Sequence, residues 1–419
     1  MEAAKPTPGD PRVEHLVQTL TESERLFATG EPAALRKSLL HAETVIESLR
    51  GVVATDPQLQ TQHLLAHGWM RRGLALSHLG EVAKQPDALR SLDTAISLFR
   101  DLFVRHPVAQ VLHNLSVSLL AKAELLVYMG GEDNLRQSIA CNLEGSDHLA
   151  CLPEEMADAA RRLRIAACEH RATVAEGLRS AEGLSLALKA HSEIVELLRA
   201  TVPEQGIEQR VRLGAALVNV ANIRLLKQVA EYEPSAARAS AQEAMSLVAE
   251  RVRDHALAAE IHIKAAHLMC GAILLGLEGG ADAKSVPRDA VNALTDIIDD
   301  ALVLARLWER RGALDQRRPA EEIFALGLRL FAARQPHFLA EFILEHLDPE
   351  KSADAFVGNQ AMVAAARAKV AEVLQRLEGQ RLVALGSESV ERQLEMRTAL
   401  RHVAARLAAL GGASDASVG

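Results

Sequence analysis

The chain has 419 residues, 49% of them hydrophobic and 24% charged, which is too apolar for disorder and longer than one compact core usually grows. Its formal net charge of −8 leaves no global attraction to nucleic acid or an anionic membrane, so any basic site has to be local. The four cysteines, Cys141, Cys151, Cys168 and Cys270, form no CxxC pair and no disulfide framework, which favours a reducing compartment.

Residues 1–11, MEAAKPTPGDP, carry no basic segment followed by an apolar run and read as unstructured; no stretch reads as eighteen uncharged apolar residues. The expectation is a soluble, cytoplasmic protein. Aromatic residues make up 3% of the chain while Ala/Leu/Arg/Glu stretches with helical spacing dominate, so the fold class is all-α. Gly30, Gly80 and Gly130 stand fifty residues apart, and so do Pro57 and Pro107, and Pro153 and Pro203. Leu26, Leu76 and Leu126 recur with them, as do His63 and His113, Ile46 and Ile96, and Arg50 and Arg100. A period in this range marks stacked supersecondary units, each too small to bury its own apolar face.

Leu39, Ala42, Ile46 and Leu49 form one stripe of an amphipathic helix, and Leu89, Leu92, Ile96 and Phe99 repeat that stripe in the next repeat. Each repeat therefore reads as two antiparallel helices. In the second, a helix over 63–79 presents Leu65, Trp69, Gly73 and Leu76 on one side; Gly80 stops it, Pro86 opens the next helix, and Pro107 closes the hairpin. Carried along, the pattern predicts hairpins at 13–57, 63–107, 113–153, 157–203, 209–253 and 255–310. These make a repeat region over 12–277. Gly-Gly, a proline and small polar residues predict a loop at 278–288, within LEGGADAKSVPRDA. Beyond it, over 289–410, divergent helices are expected near 288–311, 318–334, 336–346, 354–377 and 388–410, followed by an unstructured tail over 411–419.

GWMRRGLALSHLG followed by DTAISLFRDLFVRHP resembles a tetratricopeptide repeat. Trp69, Gly73 and Leu76 match the aromatic, small and large positions of the family's first helix, and Ala95, Phe99 and Pro107 match the small, aromatic and closing-proline positions of its second. Arg72 stands where the family has leucine, Leu102 where it has alanine, and extra residues separate the two halves, so the units are long and divergent. The resemblance implies a right-handed superhelical α-solenoid whose first helices line a groove for peptides or protein segments, with no chemistry of its own.

Within 161–179, Arg161, Arg164, Arg171 and Arg179 fall on one side of a helix, with Leu163, Ala166, His170 and Val174 opposite. The apolar-inward rule predicts an exposed arginine row, and the resemblance aims it at the groove. A guanidinium fork suits carboxylates, so the expected ligand is an acidic segment. The family's groove positions map to His67, Met70, Ser77 and His78 in the second repeat and to Leu120, Glu124 and Tyr128 in the third. The lysine and asparagine set with which some members of the family clamp a terminal carboxylate is absent there.

His63 with His67, and His267 with Cys270, have metal-compatible helical spacings but no third ligand in sequence, so neither a metal nor another cofactor is expected. Arg164 to His170 and Arg397 to His402 resemble the short motif of helical ribonucleases. No phosphate loop, nucleophile elbow or HExxH occurs, so the chain is not expected to be an enzyme. The leading function is a protein-binding adaptor or scaffold; the alternatives are a regulatory or sensor subunit of an enzyme complex and, last, a helical nuclease.

Overall fold

The computed structural model describes residues 11–55, 58–200, 206–278, 288–312, 317–334, 338–352, 355–356, 359–379 and 387–412. They form helices α1 (Pro11–Ala28), α2 (Pro32–Thr55), α3 (Leu59–Leu79), α4 (Gln85–Arg105), α5 (Ala109–Met129), α6 (Glu132–Ala150), α7 (Ala157–Gly177) and α8 (Ala181–Arg199). These are followed by α9 (Ile207–Arg224), α10 (Pro234–Val248), α11 (Ala256–Glu278), α12 (Arg288–Arg311), α13 (Arg317–Arg334), α14 (Leu339–Leu347), α15 (Gln360–Gly379) and α16 (Ser387–Gly412). No strand occurs among the described residues. Helices neighbouring in sequence pack on one another, which is the packing of an α-solenoid.

The expected loop over 278–288 falls, apart from Glu278 and Arg288, outside the described residues, as do residues 1–10 and 413–419 of the two expected unstructured ends. Pro11, placed in the unstructured start, begins α1 instead, and α16 runs on to Gly412.

The chain forms two compact units, Met1–Leu197 and Leu198–Gly419, dividing within α8. In unit 1 the odd helices α1, α3, α5 and α7 touch in succession, and α2, α4 and α6 each pack against the odd helix that follows. Its core is a series of small clusters, one centred on Val45, Ile46 and Leu49, the next on Ile96, Phe99 and Leu102. The sequence period has a backbone cause here. Gly30, Gly80 and Gly130, each just past the end of an odd helix, take φ of +68°, +68° and +70°, a region closed to most side chains. A second repeating feature sets the helix spacing. Ser23 and Ser38, Gly73 and Ala88, and Ala123 and Ser138 sit fifteen residues apart across successive hairpins; the hydroxyls of the first pair share a hydrogen bond at 2.8 Å. A Cβ on Gly73 would stand 2.7 Å from Leu92 Cγ, so α3 and α4 approach too closely there for any side chain.

Unit 2 is built differently. After the α9–α10 hairpin, α11 packs on both of those helices and on α12 and α13. One continuous core then runs from Ala259, Ile263 and Cys270 of α11 through Trp308, Phe324 and Phe342 to Leu400 and Leu407 of α16. Helices α11 and α12 thus belong to one core. Among the described residues two helices, α5 and α11, contain windows long and apolar enough to cross a membrane, although each window holds charged residues, Lys122 and Glu124 in one and Glu260 and Lys264 in the other; 61% of each window is buried in helix packing.

Candidate interaction surface

Three odd helices of unit 1 bring a polar and aromatic strip together. Glu24 of α1 accepts from His67 Nε2 at 3.0 Å and from Arg71 at 2.8 Å, both on α3. Arg71 also lies 5.5 Å from the Phe27 ring centre, and His78, one of the expected groove residues, meets that ring edge-on at 4.7 Å. The hydrogen bond from His67, joined by the Arg71 charge, outweighs burial and holds the Glu24 carboxyl down at about 2. His63, one turn before His67, has its Nε2 3.1 Å from Asn114 Nδ2 on α5. Burial first, and the nearby His67 second, push the His63 imidazole below its ordinary value.

Along α5 the outward strip consists of His113, Val117, Leu120, Glu124 and Tyr128, the last 76% exposed. Ser77 of α3 is half-buried beside His78. Met70, expected in the groove, is instead core: it is 4% exposed and packs with Ile96, Phe99 and Leu115. The family mapping is one position off there, because the open strip of α3 runs through His67 and Arg71 on either side of Met70.

The arginine row needs a larger correction. Arg171 is buried and bonds Glu193 of α8 at 2.5 Å, while Arg164, partly buried, bonds the same carboxylate at 2.8 Å. The outward face of α7 is Arg162, Ala166, Glu169, Thr173 and Glu176. A single apolar stripe cannot find this orientation, because α7 packs on both α6 and α5 and shares the Glu193 ion pair with α8. The small Ala160, Ala167 and Cys168 leave room inside for a guanidinium that a carboxylate neutralises. Arg161 is tied to Asp158 of its own first turn, and Arg179 lies beyond α7 with φ +49°.

The metal and nuclease spacings dissolve into ordinary partners. His67 does have a carboxylate neighbour, Glu24 from another helix, and His267 has Glu322 at 3.9 Å. Among the described residues no group of three His, Cys, Asp or Glu is placed to hold a metal ion. Arg164 is engaged by Glu193 whereas His170 faces Asn142, so that pair does not converge. Arg397 donates to the Leu377 carbonyl while His402 is exposed.

Sequence reasoning missed the even-helix side of unit 1. A cleft of 430 Å³ lies over α3 between α2 and α4, with Trp69 at its floor and Arg50 and Arg72 on the ring. A cleft of 210 Å³ lies one repeat later over α5, where Leu119, Arg100 and Lys122 take the corresponding places. The recurrence of Arg50 and Arg100 at the repeat interval was the available signal. Unit 2 carries a third cavity, 380 Å³, where Asp296, Asp299, Glu341 and Glu345 surround Phe331 and Phe342.

No family model matches the chain, and no curated protein matches it. Among solved structures it is similar to a circular tandem repeat protein with novel repeat topology and enhanced subunit contact surfaces, at 17% identity over 96% of this chain and 98% of that one, with a TM-score of 0.35. The chain is a helical-repeat solenoid, and a scaffold of stacked hairpins suits protein interaction in general.

Proposed function

We propose that the chain is a protein-binding adaptor whose unit 1 takes a partner's segment along its odd helices, as the resemblance to tetratricopeptide repeats implies. The observation that carries this reading is the α5 strip of Val117, Leu120, Glu124 and Tyr128, which leaves a large aromatic 76% exposed beside apolar surface. Tyrosine in such a setting is enriched at interfaces, since it offers contact area and a hydroxyl at little entropic cost. Alongside it, the imidazoles of His78 and His113 offer hydrogen-bond donors to a segment bearing acidic groups. The reading requires no cofactor and no chemistry, and it places the protein in the cytoplasm, where its unpaired cysteines stay reduced.

A photo-crosslinking residue at Tyr128 should capture a discrete partner from native lysate, and mass spectrometry of the adduct should locate one acidic segment. The control site is Val104 of α4, which is 84% exposed on an even helix. Identical adducts from both positions would sink the odd-helix reading, and an adduct on a basic segment would sink its acidic part.

A further inference from the structure

The even-helix side of unit 1 repeats an ion-pair device with one member missing. At the second cleft Arg100 of α4 bonds Glu144 of α6, forty-four residues on. Within unit 2, Arg199 and Glu243 span the same interval at 2.6 Å. Arg50 holds the phase of Arg100 on α2, but the residue forty-four positions on is Thr94. Among the described residues Arg50 is ion-paired with no carboxylate; its guanidinium lies 5.2 Å from the Trp69 ring centre. The other cations of the cleft are engaged, Arg72 by Glu43 and Ser91, Arg90 by Asp87. What remains is Arg50 at the Thr94 end and the exposed Glu47 one turn back on α2. The cleft also has twice the volume of its neighbour, 430 against 210 Å³, which the Arg100–Glu144 and Lys122–Asp93 bridges cross.

We propose that this cleft docks a carboxylate-bearing segment of a partner protein. The partner's Asp or Glu takes on Arg50 the place that Glu144 takes on Arg100, approaching from the Thr94 side, and an apolar neighbour in the segment lies on Trp69. Charge complementarity selects the acid: a planar guanidinium held against an aromatic ring presents its fork to a carboxylate bidentately. The ring supplies the apolar contact that makes such a pair more than a solvated surface bridge. This cleft and the odd-helix strip are different surfaces of unit 1, so either can bind without the other.

Thr94→Glu tests the missing member directly, by supplying the acid in cis. It should raise the melting temperature of the full chain but not that of Arg50→Ala; an equal effect in both backgrounds would show that Arg50 does not occupy the Arg100 phase and would overturn the proposal. Docking is tested with an acetylated Glu-Leu-Glu-Glu-Leu-Glu amide and its Gln counterpart, read by the two tryptophan indole NMR signals, assigned with Trp69→Phe. The Glu peptide should move the Trp69 signal and leave Trp308 in place. Arg50→Ala and Thr94→Glu should each weaken it by about ten-fold or more, while Arg100→Ala leaves it intact. No shift at millimolar peptide, equal shifts with the Gln peptide, or the same shift with acetate alone would each overturn a docking surface for an acidic segment.

Discussion

Arg171 of α7 and Glu193 of α8 meet 2.5 Å apart, with the arginine side chain 4% exposed. The carboxylate serves Arg164 as well, and burial works against its ionisation, yet the hydrogen bonds from both arginines keep its pKa below the ordinary value. Removing the acid strands a guanidinium in the interior. Glu193→Ala should therefore cost about 3–5 kcal/mol, and Arg171→Met, which removes the buried charge itself, much less. Chemical denaturation of both variants checks the order; equal losses would show that the pair stabilises chiefly by packing.

Gly73 makes the second prediction. Since a Cβ there would meet Leu92 at 2.7 and 2.8 Å, Gly73→Ala should destabilise by about 1–3 kcal/mol despite alanine's better helix propensity. At Gly177, near the end of α7, nothing lies within 4 Å, so the same change should be neutral or slightly stabilising. A stable Gly73→Ala protein would mean that α3 and α4 can separate without loss.

Titration provides the third. His63, His170, His262 and His267 are all pushed below their ordinary value of 6.5, chiefly by burial, so the unfolded chain binds protons that the folded one resists. Stability should fall as pH drops through about 6.5. Glu24, held at about 2, adds stability that is present above the ordinary carboxylate range and is lost as pH falls toward 2. Both shifts act in one direction, so the melting temperature should decline steadily from pH 7.5 to 3. A flat profile between pH 7.5 and 5.5 would contradict the burial of the histidines.

A fourth prediction concerns truncation. A chain ending at residue 282 keeps α11 but loses α12 to α16, against which Ile263, Cys270 and Leu274 are packed. We expect α1 to α10 to stay helical, α11 to exchange its amide hydrogens rapidly, and the fragment to bind an apolar dye. Protection of α11 equal to that in the full chain would show that its core does not need the later helices.

Features governed by local rules were legible in the sequence. Glycines past helix ends, prolines near helix starts and the fifty-residue recurrence announced the hairpins, because each reports backbone conformation at its own position. Orientation was harder to read. The wheel of α7 offered a row of arginines and an apolar row, and the apolar-inward rule chose the wrong one for Arg171, since the deciding partner, Glu193, lies on the next helix. Met70 failed for a related reason: α3 has neighbours on several sides, so a residue one position from the open strip is already core. The Trp69 cleft needs three helices at once, and only the recurrence of Arg50 and Arg100 hinted at it.

The glycines at 30, 80 and 130 also act as a phase clock. Gly80 and Gly130 each stand one residue past an odd helix, so His63 and His67 of α3 recur in place as the partly exposed His113 and Val117 of α5, although the buried Met70 corresponds to the partly exposed Leu120. An inserted block of one whole repeat would lengthen the strip and keep its angular alignment. A single residue added inside an odd helix would turn everything beyond it by about 100° and carry the strip into the core. The spacing of these three glycines thus keeps corresponding helices in step from one repeat to the next.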